Sequence, residues 1–481
     1  MRQFIKFTFY LFITFFITKC SVIKTQIPVT YLVSEKINIQ KPEIPTDTIV
    51  YIPHSKSERK TFFKDSELQV KWVDSIYNIM SFDEKVGQLF MVAAYSNRDE
   101  SHFKDIDKLI QENKIGGLIF FQGGPNRQAK LTNRFQKKSK IPLFIGNDAE
   151  WGLSMRLDST YKYPYNMTLG AIRDLKLIEK MGEKMGSECK RMGIHFNFAP
   201  VIDINTNPKN PIIGNRSFGE DKKEVTERAI ALMTGIQNQG VFATGKHFPG
   251  HGDTSTDSHL TLPTVSFSRD RINQVELYPY KRMFDEGLET VMVAHLKIPS
   301  LEFRPEYPSS ASYEIVTNLL QNELGFDGLI FTDALNMKGA SNFKKAGDLD
   351  LEAFKAGNDI LLFPENVALA YDKICLAYQD STVTEERLAK SVKKILKYKF
   401  KAGLNKFKPI EIKNLATDLN TESNNALSYQ LYENAITVLK NKEDILPIKN
   451  LDQKIAYVKL GDDSNSSFLT TLKKYTEISE F

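Results

Sequence analysis

Cysteine is scarce in this chain: there are three residues among 481, at positions 20, 189 and 375, too few for a disulfide framework. Cys189 and Cys375 fall inside helix-period segments and read as small buried hydrophobes. Charge of one sign is also lacking. Lys and Arg number 64 against 59 Asp and Glu, a formal net charge of +5 spread along the chain, so charge gives no argument for a nucleic-acid partner. The lysine-rich stretch 393–401 has helical spacing and reads as a solvated helix face. The apolar run 7–18 is too short to cross a bilayer as a helix. No glycine-rich phosphate turn follows the first candidate strand, 89–94, which counts against a doubly wound open sheet. Nor is there a His-x-His pair there: Tyr95-Ser96-Asn97 stands where a barrel metallohydrolase would carry one.

What the N-terminus does contain is a charged start, Arg2 and Lys6, followed by that short apolar run, the pattern of an export signal. Cys20 follows at once. The segment Ile17-Thr18-Lys19-Cys20-Ser21 resembles a bacterial lipobox, with Lys19 where a small residue is usual. The resemblance implies that Cys20 is acylated and becomes the mature N-terminus. Residues 1–20 are therefore predicted to be a lipoprotein-type signal and 21–65, polar and dotted with proline, a flexible tether. The protein is expected to be exported and held to a bacterial membrane by its lipid.

Residues 66–404 alternate apolar runs with amphipathic segments. Ser81-Phe-Asp-Glu84 has the capping-box pattern and follows an amphipathic stretch over 68–80. Candidate strands are 89–94, 117–121, 143–147, 196–204, 243–247, 290–295, 328–332 and 359–363, with helices between most of them, for example at 175–192 and 223–239. Eight such units predict an α/β protein built on a (β/α)8 TIM barrel. In that architecture chemistry sits just past the C-terminal strand ends, where this chain has Asp148, Asp203, Lys246-His247, His295 and Asp333. Beyond 404, a helix running into a strand at 435–440 and a second strand near 454–461 read as the start of an incomplete α/β sandwich domain over 405–481.

Three of only seven histidines fall in Lys246-His-Phe-Pro-Gly-His-Gly-Asp-Thr-Ser-Thr-Asp-Ser-His259. Clustered His and Asp suit metal ligation or proton transfer. His247 and His251 are four apart, but Pro249 and Gly250 exclude a helix between them, so the helical zinc geometry is lost. No metal and no cofactor is expected. Asp257 and His259 are two apart and would share a side in an extended loop, where the carboxylate could orient a proton-carrying imidazole. Spacing alone leaves open a solvated aspartate beside a surface histidine.

That fourteen-residue segment resembles the signature of glycoside hydrolase family 3, in its bacterial β-N-acetylglucosaminidase branch. Asn215-Arg-Ser-Phe-Gly-Glu-Asp221 is similar to the family's arginine loop and Phe331-Thr-Asp-Ala-Leu-Asn-Met337 to its nucleophile segment. Asp148-Ala-Glu-Trp-Gly-Leu-Ser-Met-Arg156 departs from the common Asp-Gln-Glu-Gly-Gly form but keeps the aspartate, the glutamate and an arginine. The likeness spans roughly 80–404. It implies a retaining β-N-acetylhexosaminidase that cleaves terminal β-linked N-acetylglucosamine. Asp333 would be the nucleophile, and His259, held by Asp257, the acid/base. Asp148, Arg156, Arg216, Lys246 and His247 would bind the sugar. Lys246 and Arg216 are expected near enough to keep Asp333 ionised. The alternatives are a family-3 β-glucosidase or glycoside phosphorylase and, in another class, a non-catalytic sugar-binding lipoprotein. The glycan stays open among peptidoglycan fragments (muropeptides), chitin-type oligomers and host glycans.

Overall fold

The computed structural model describes residues 59–258, 260–459 and 467–480. The signal segment, Cys20 and most of the tether lie outside the described residues, as does His259.

Eight parallel strands form in chain order: β1 (Phe90–Tyr95), β2 (Gly117–Phe121), β3 (Phe144–Asn147), β4 (Phe196–Asn197), β5 (Phe242–Phe248), β6 (Thr290–Val293), β7 (Leu329–Thr332) and β8 (Leu361–Leu362). From β1 to β7 each pairs with the next. The sheet closes on itself because β8 pairs with β1 through Phe90–Leu361 and Met91–Leu362. Phe331 bridges to Ile360 on the remaining seam, where the Thr332 amide donates to Ile360 O at 3.0 Å. This is the expected (β/α)8 barrel.

The capping box forms as predicted. Ser81 Oγ accepts the Glu84 amide and Glu84 Oε2 accepts the Ser81 amide, starting the helix Phe82–Gly87. The strand predicted at 196–204 is cut to two residues. Pro200 has no N–H to give a ladder, and beyond it only Val201 bridges to Lys246. The lysine-rich helix Glu385–Lys401 is not simply solvated. Lys399 is fully buried with its ammonium on Gln88 Oε1 at 2.5 Å, and Lys394 reaches Asp359 at 2.9 Å. Cys189 is buried and Cys375 half-buried, both free.

The end of the predicted tether is also part of the fold. Arg59 donates to Gly325 O at 2.8 Å, and Phe63 lies 4.4 Å from the Phe242 ring. Two consecutive aromatics, Phe62 and Phe63, explain the docking, since burying one such ring contributes roughly 1.5–3 kcal/mol.

After the barrel, the helix Glu422–Ala435 buries Leu427 and Leu431 and gives Asn424 to Glu188 of the helix Leu175–Arg191 at 3.0 Å. The strand predicted at 435–440 does not form: Ile436, Val438 and Leu439 are exposed. Further on, β9 (Ile455–Tyr457) and β10 (Ile478–Glu480) pair in parallel, with the helix Ser467–Leu472 between them in the chain.

Candidate active site

The ionisable residues read from the strand ends converge at one mouth of the barrel. Asp148 follows β3, Lys246 and His247 close β5, and Asp333 follows β7 directly. These four, with Glu150, Arg156 and Arg216, line a cavity of about 580 Å³.

One side of it is an ion-pair lattice. Arg156 and Lys246 donate to the two oxygens of Asp148 at 2.6 and 2.9 Å. Lys246 Nζ also lies 2.8 Å from Glu150 Oε1, and Arg216 forks onto both Glu150 oxygens at 2.9 and 2.8 Å. Lys246 is 2% exposed and Glu150 1%; such burial is tolerated because every charge is paired. Burial alone would raise both acids, but Lys246 and Arg156 hold Asp148, and Arg216 and Lys246 hold Glu150, below the usual carboxylate range.

Arg216 Nη2 lies 3.3 Å from His247 Nε2. A guanidinium only donates, so Nε2 accepts and Nδ1–H points at Asp203 Oδ2, 2.7 Å away. Asp203 takes the backbone amides of His247 and His251 as well, at 3.1 and 2.6 Å. Although burial opposes it, His247 and His251 keep Asp203 below its ordinary pKa. The loop can fold this tightly because of its glycines. Gly250 has φ +143°, and a Cβ on Gly252 would fall 1.8 Å from Ile204 O.

Asp333 is fixed by its own backbone. Its amide donates to Val293 O at 2.8 Å, and its Oδ1 accepts the Ala334 amide at 2.7 Å. His295 supports this turn from behind, with Nε2 on Ala334 O at 3.0 Å and Nδ1 on Ser310 Oγ at 2.7 Å. Against the effect of burial, His247, His295, the Ala334 amide and Lys246 hold Asp333 below the ordinary aspartate value. Arg216 pairs with Glu150 at 2.8 Å, a residue that sequence reasoning gave no role. A charge count could have found Glu150, because Arg156, Arg216 and Lys246 together need more than Asp148.

The histidine-rich loop continues from this lattice. His251 has Thr254 Oγ1 2.7 Å from Nδ1 and Ser258 Oγ 3.1 Å from Nε2, and burial pushes its pKa down to about 4. Asp257 O accepts the amides of Leu260 and Thr261 at 3.0 Å each. The expected pairing of Asp257 with His259 involves a residue outside those described. The neighbouring Ser258 lines the cavity, and its carbonyl accepts the Gly339 amide at 3.0 Å, which ties this loop to the segment following Asp333.

Apolar side chains also line the cavity, among them Phe121, Met155, Met292, Met337 and Phe363. Sequence reasoning named none of them. Phe363 has φ +49°, in the left-handed region that costs a bulky residue of order 1–3 kcal/mol.

A parallel barrel with an aspartate at the end of β7 and a basic, hydrogen-bonding wall opposite is suited to polyhydroxylated substrates. Residues 81–398 match the model of the glycosyl hydrolase family 3 N-terminal domain, and the chain belongs to that family. It is 34% identical over 386 residues to β-hexosaminidase A of Pseudoalteromonas piscicida, an alignment covering 73% of this chain and 63% of the relative. The chain thus spans less than two thirds of that protein's length. A β-N-acetylglucosaminidase/β-glucosidase of Cellulomonas fimi is 28% identical over 387 residues, covering 79% of this chain and 68% of that one. Among solved structures, a family-3 β-N-acetylglucosaminidase from Paenibacillus sp. FPU-7 superposes with TM-score 0.73 at 32% identity, covering 84% and 79% of the two chains. A β-glucoside phosphorylase bound to 2FGlc superposes with TM-score 0.78 at 26% identity, covering 90% and 79%.

Proposed function

We propose that this protein is a retaining β-N-acetylhexosaminidase that removes terminal β-linked N-acetylglucosamine. The observation that carries the reading is that Asp333 shares one cavity with Asp148, Arg156, Arg216, Lys246 and His247. A carboxylate Oδ of Asp333 attacks the anomeric carbon as the bond to the leaving oxygen breaks, and His259 gives that oxygen its proton. Water then attacks the glycosyl ester, yields its proton to His259, and frees Asp333 with net retention. Asp257 orients His259. Asp148, Arg156, Arg216, Lys246 and His247 hold the hydroxyls and the acetamido group, and the lattice that binds them to one another keeps them in place before substrate arrives. Relatives named as β-hexosaminidases support the substrate class.

The test is a panel of aryl β-glycosides differing only at carbon 2, with the anomer of the first product read by NMR. Turnover of the 2-acetamido sugar with a β product is expected. Preference for the 2-hydroxy sugar would favour a β-glucosidase. A sugar 1-phosphate as main product in phosphate buffer would favour a phosphorylase, a reading that draws on the superposition covering 90% of this chain. Binding without turnover would point to a sugar-binding lipoprotein. We further propose that Cys20 carries the lipid anchor. Cys20→Ser should release the protein from membranes, and a wild type already soluble after export would contradict this.

A further inference from the structure

The hydrogen bonds of the ion-pair lattice each run one way. Arg156, Lys246 and Arg216 only donate, and Asp148 and Glu150, as carboxylates, only accept. His247 differs, because a neutral imidazole donates from one nitrogen and accepts at the other. The nitrogen that holds its proton decides whether Arg216 Nη2, 3.3 Å from His247 Nε2, meets an acceptor or a second donor.

Asp203, which does not itself line the cavity, makes that choice from behind. It is 2% exposed, and its backbone is held on both sides. Ser217 Oγ donates to Asp203 O at 2.6 Å, and the preceding Ile202 amide donates to Lys246 O at 2.9 Å. Burial would raise the Asp203 pKa, but His247 and His251 hold it below the ordinary value, so the carboxylate is ionised and only accepts. Oδ2 takes His247 Nδ1–H at 2.7 Å and the His247 amide at 3.1 Å, while Oδ1 takes the His251 amide at 2.6 Å. With the proton drawn to Nδ1, Nε2 is bare. Arg216 Nη2 can then serve His247 Nε2 and Glu150 Oε1 together, the latter at 2.8 Å.

We propose that Asp203 is a positioning residue for hydrolysis, which fixes the His247 tautomer and through it keeps Arg216 in the sugar-binding wall. This role rests on the hydrolase reading above. Asp203→Asn probes it, since an amide keeps the shape of the carboxylate and offers a single acceptor oxygen. The shortest contact, at the His251 amide, should retain that oxygen. The NH2 then faces His247, donates to Nδ1 and moves the ring proton to Nε2, against Arg216.

Ring protonation and activity are both read in the full chain. Histidine side-chain 15N NMR, with the His247 signals identified by their loss in His247→Ala, should show the proton on Nδ1 in the wild type and on Nε2 in Asp203→Asn. With the 4-nitrophenyl N-acetylglucosaminide, Asp203→Asn alone should lower kcat/KM roughly 10–100-fold. Added to His247→Ala, it should lower it less than about threefold further, because the group it acts through is already gone. An unchanged tautomer, or a loss of equal size in both backgrounds, would overturn the positioning role and leave the hydrolase reading intact. If Asp203→Asn does not fold, the wild-type spectrum still decides, since a ring proton on Nε2 there overturns the proposal. A wild type silent on this glycoside would overturn both.

Discussion

The two sides of the cavity are built by opposite means. The polar side, from β3 to β5 and the loops after them, is a closed set of charges in which Lys246 touches Asp148 and Glu150 at once and Arg216 touches Glu150 and His247. No member can leave without exposing another buried charge. The apolar lining, from β2, β8 and the segment after β7, is a set of rings and thioethers that fill space by contact, such as Phe121, Phe363 and Met337. The difference teaches that damage to the first side should be abrupt and to the second graded.

Substitutions can sharpen or break that contrast. The largest effect is expected for Asp333→Ala, which removes the proposed nucleophile; kcat should fall on the order of 10⁴-fold or more, as read with the 4-nitrophenyl glycoside, while the melting temperature stays near wild type. Lys246→Met comes next. It strips a shared cation from two buried carboxylates, so stability should fall by about 3–5 kcal/mol in denaturant titration, with a loss in kcat/KM of at least about a hundredfold. Loss of activity with unchanged stability would show that the lattice is not closed.

A pair remote from the cavity serves as the control. Glu188 accepts from Tyr163 Oη at 2.7 Å and from Asn424 at 3.0 Å, and burial raises its pKa to about 7. The folded state therefore binds a proton that the unfolded state releases near 4.5, so this group costs stability increasingly as pH rises between those values. Glu188→Gln should raise the melting temperature relative to wild type by more at pH 8 than at pH 5, by ~5 °C at the higher pH, with kcat/KM unchanged. An advantage at pH 5 instead would reverse the assignment. The smallest effect is expected for Met337→Leu on the apolar side. It conserves volume and should change kcat/KM by less than about threefold.

Legibility in the sequence follows the same division. Strands in a parallel barrel are buried on both faces and read as apolar runs, so all eight could be found, and the ionisable residues at their ends marked the mouth. Where backbone chemistry breaks periodicity, the reading failed: Pro200 ended β4 early. Lys399 misled because helical spacing says which residues share a face, not whether a neighbour buries it. Phe121 and Phe363 were illegible for a different reason. A phenylalanine at a strand end looks like core until closure of the barrel brings β2, β1 and β8 around one opening, and only the backbone reveals the left-handed Phe363. Glu150 lay between these cases, named in a motif but given a partner only by the fold.

The central claim is that Asp333 forms the bond to the sugar. It is tested most directly by incubating the protein with an N-acetylglucosaminyl donor fluorinated at carbon 5, with a good leaving group, and mapping the adduct by peptide mass spectrometry. The fluorine slows both chemical steps and the good leaving group spares the first, so the glycosyl ester should accumulate. The account predicts one glycosyl group, on the peptide containing Asp333 and at that residue. An adduct on Asp148, Glu150 or any other side chain, or turnover that inverts the anomeric centre with no adduct, would contradict it.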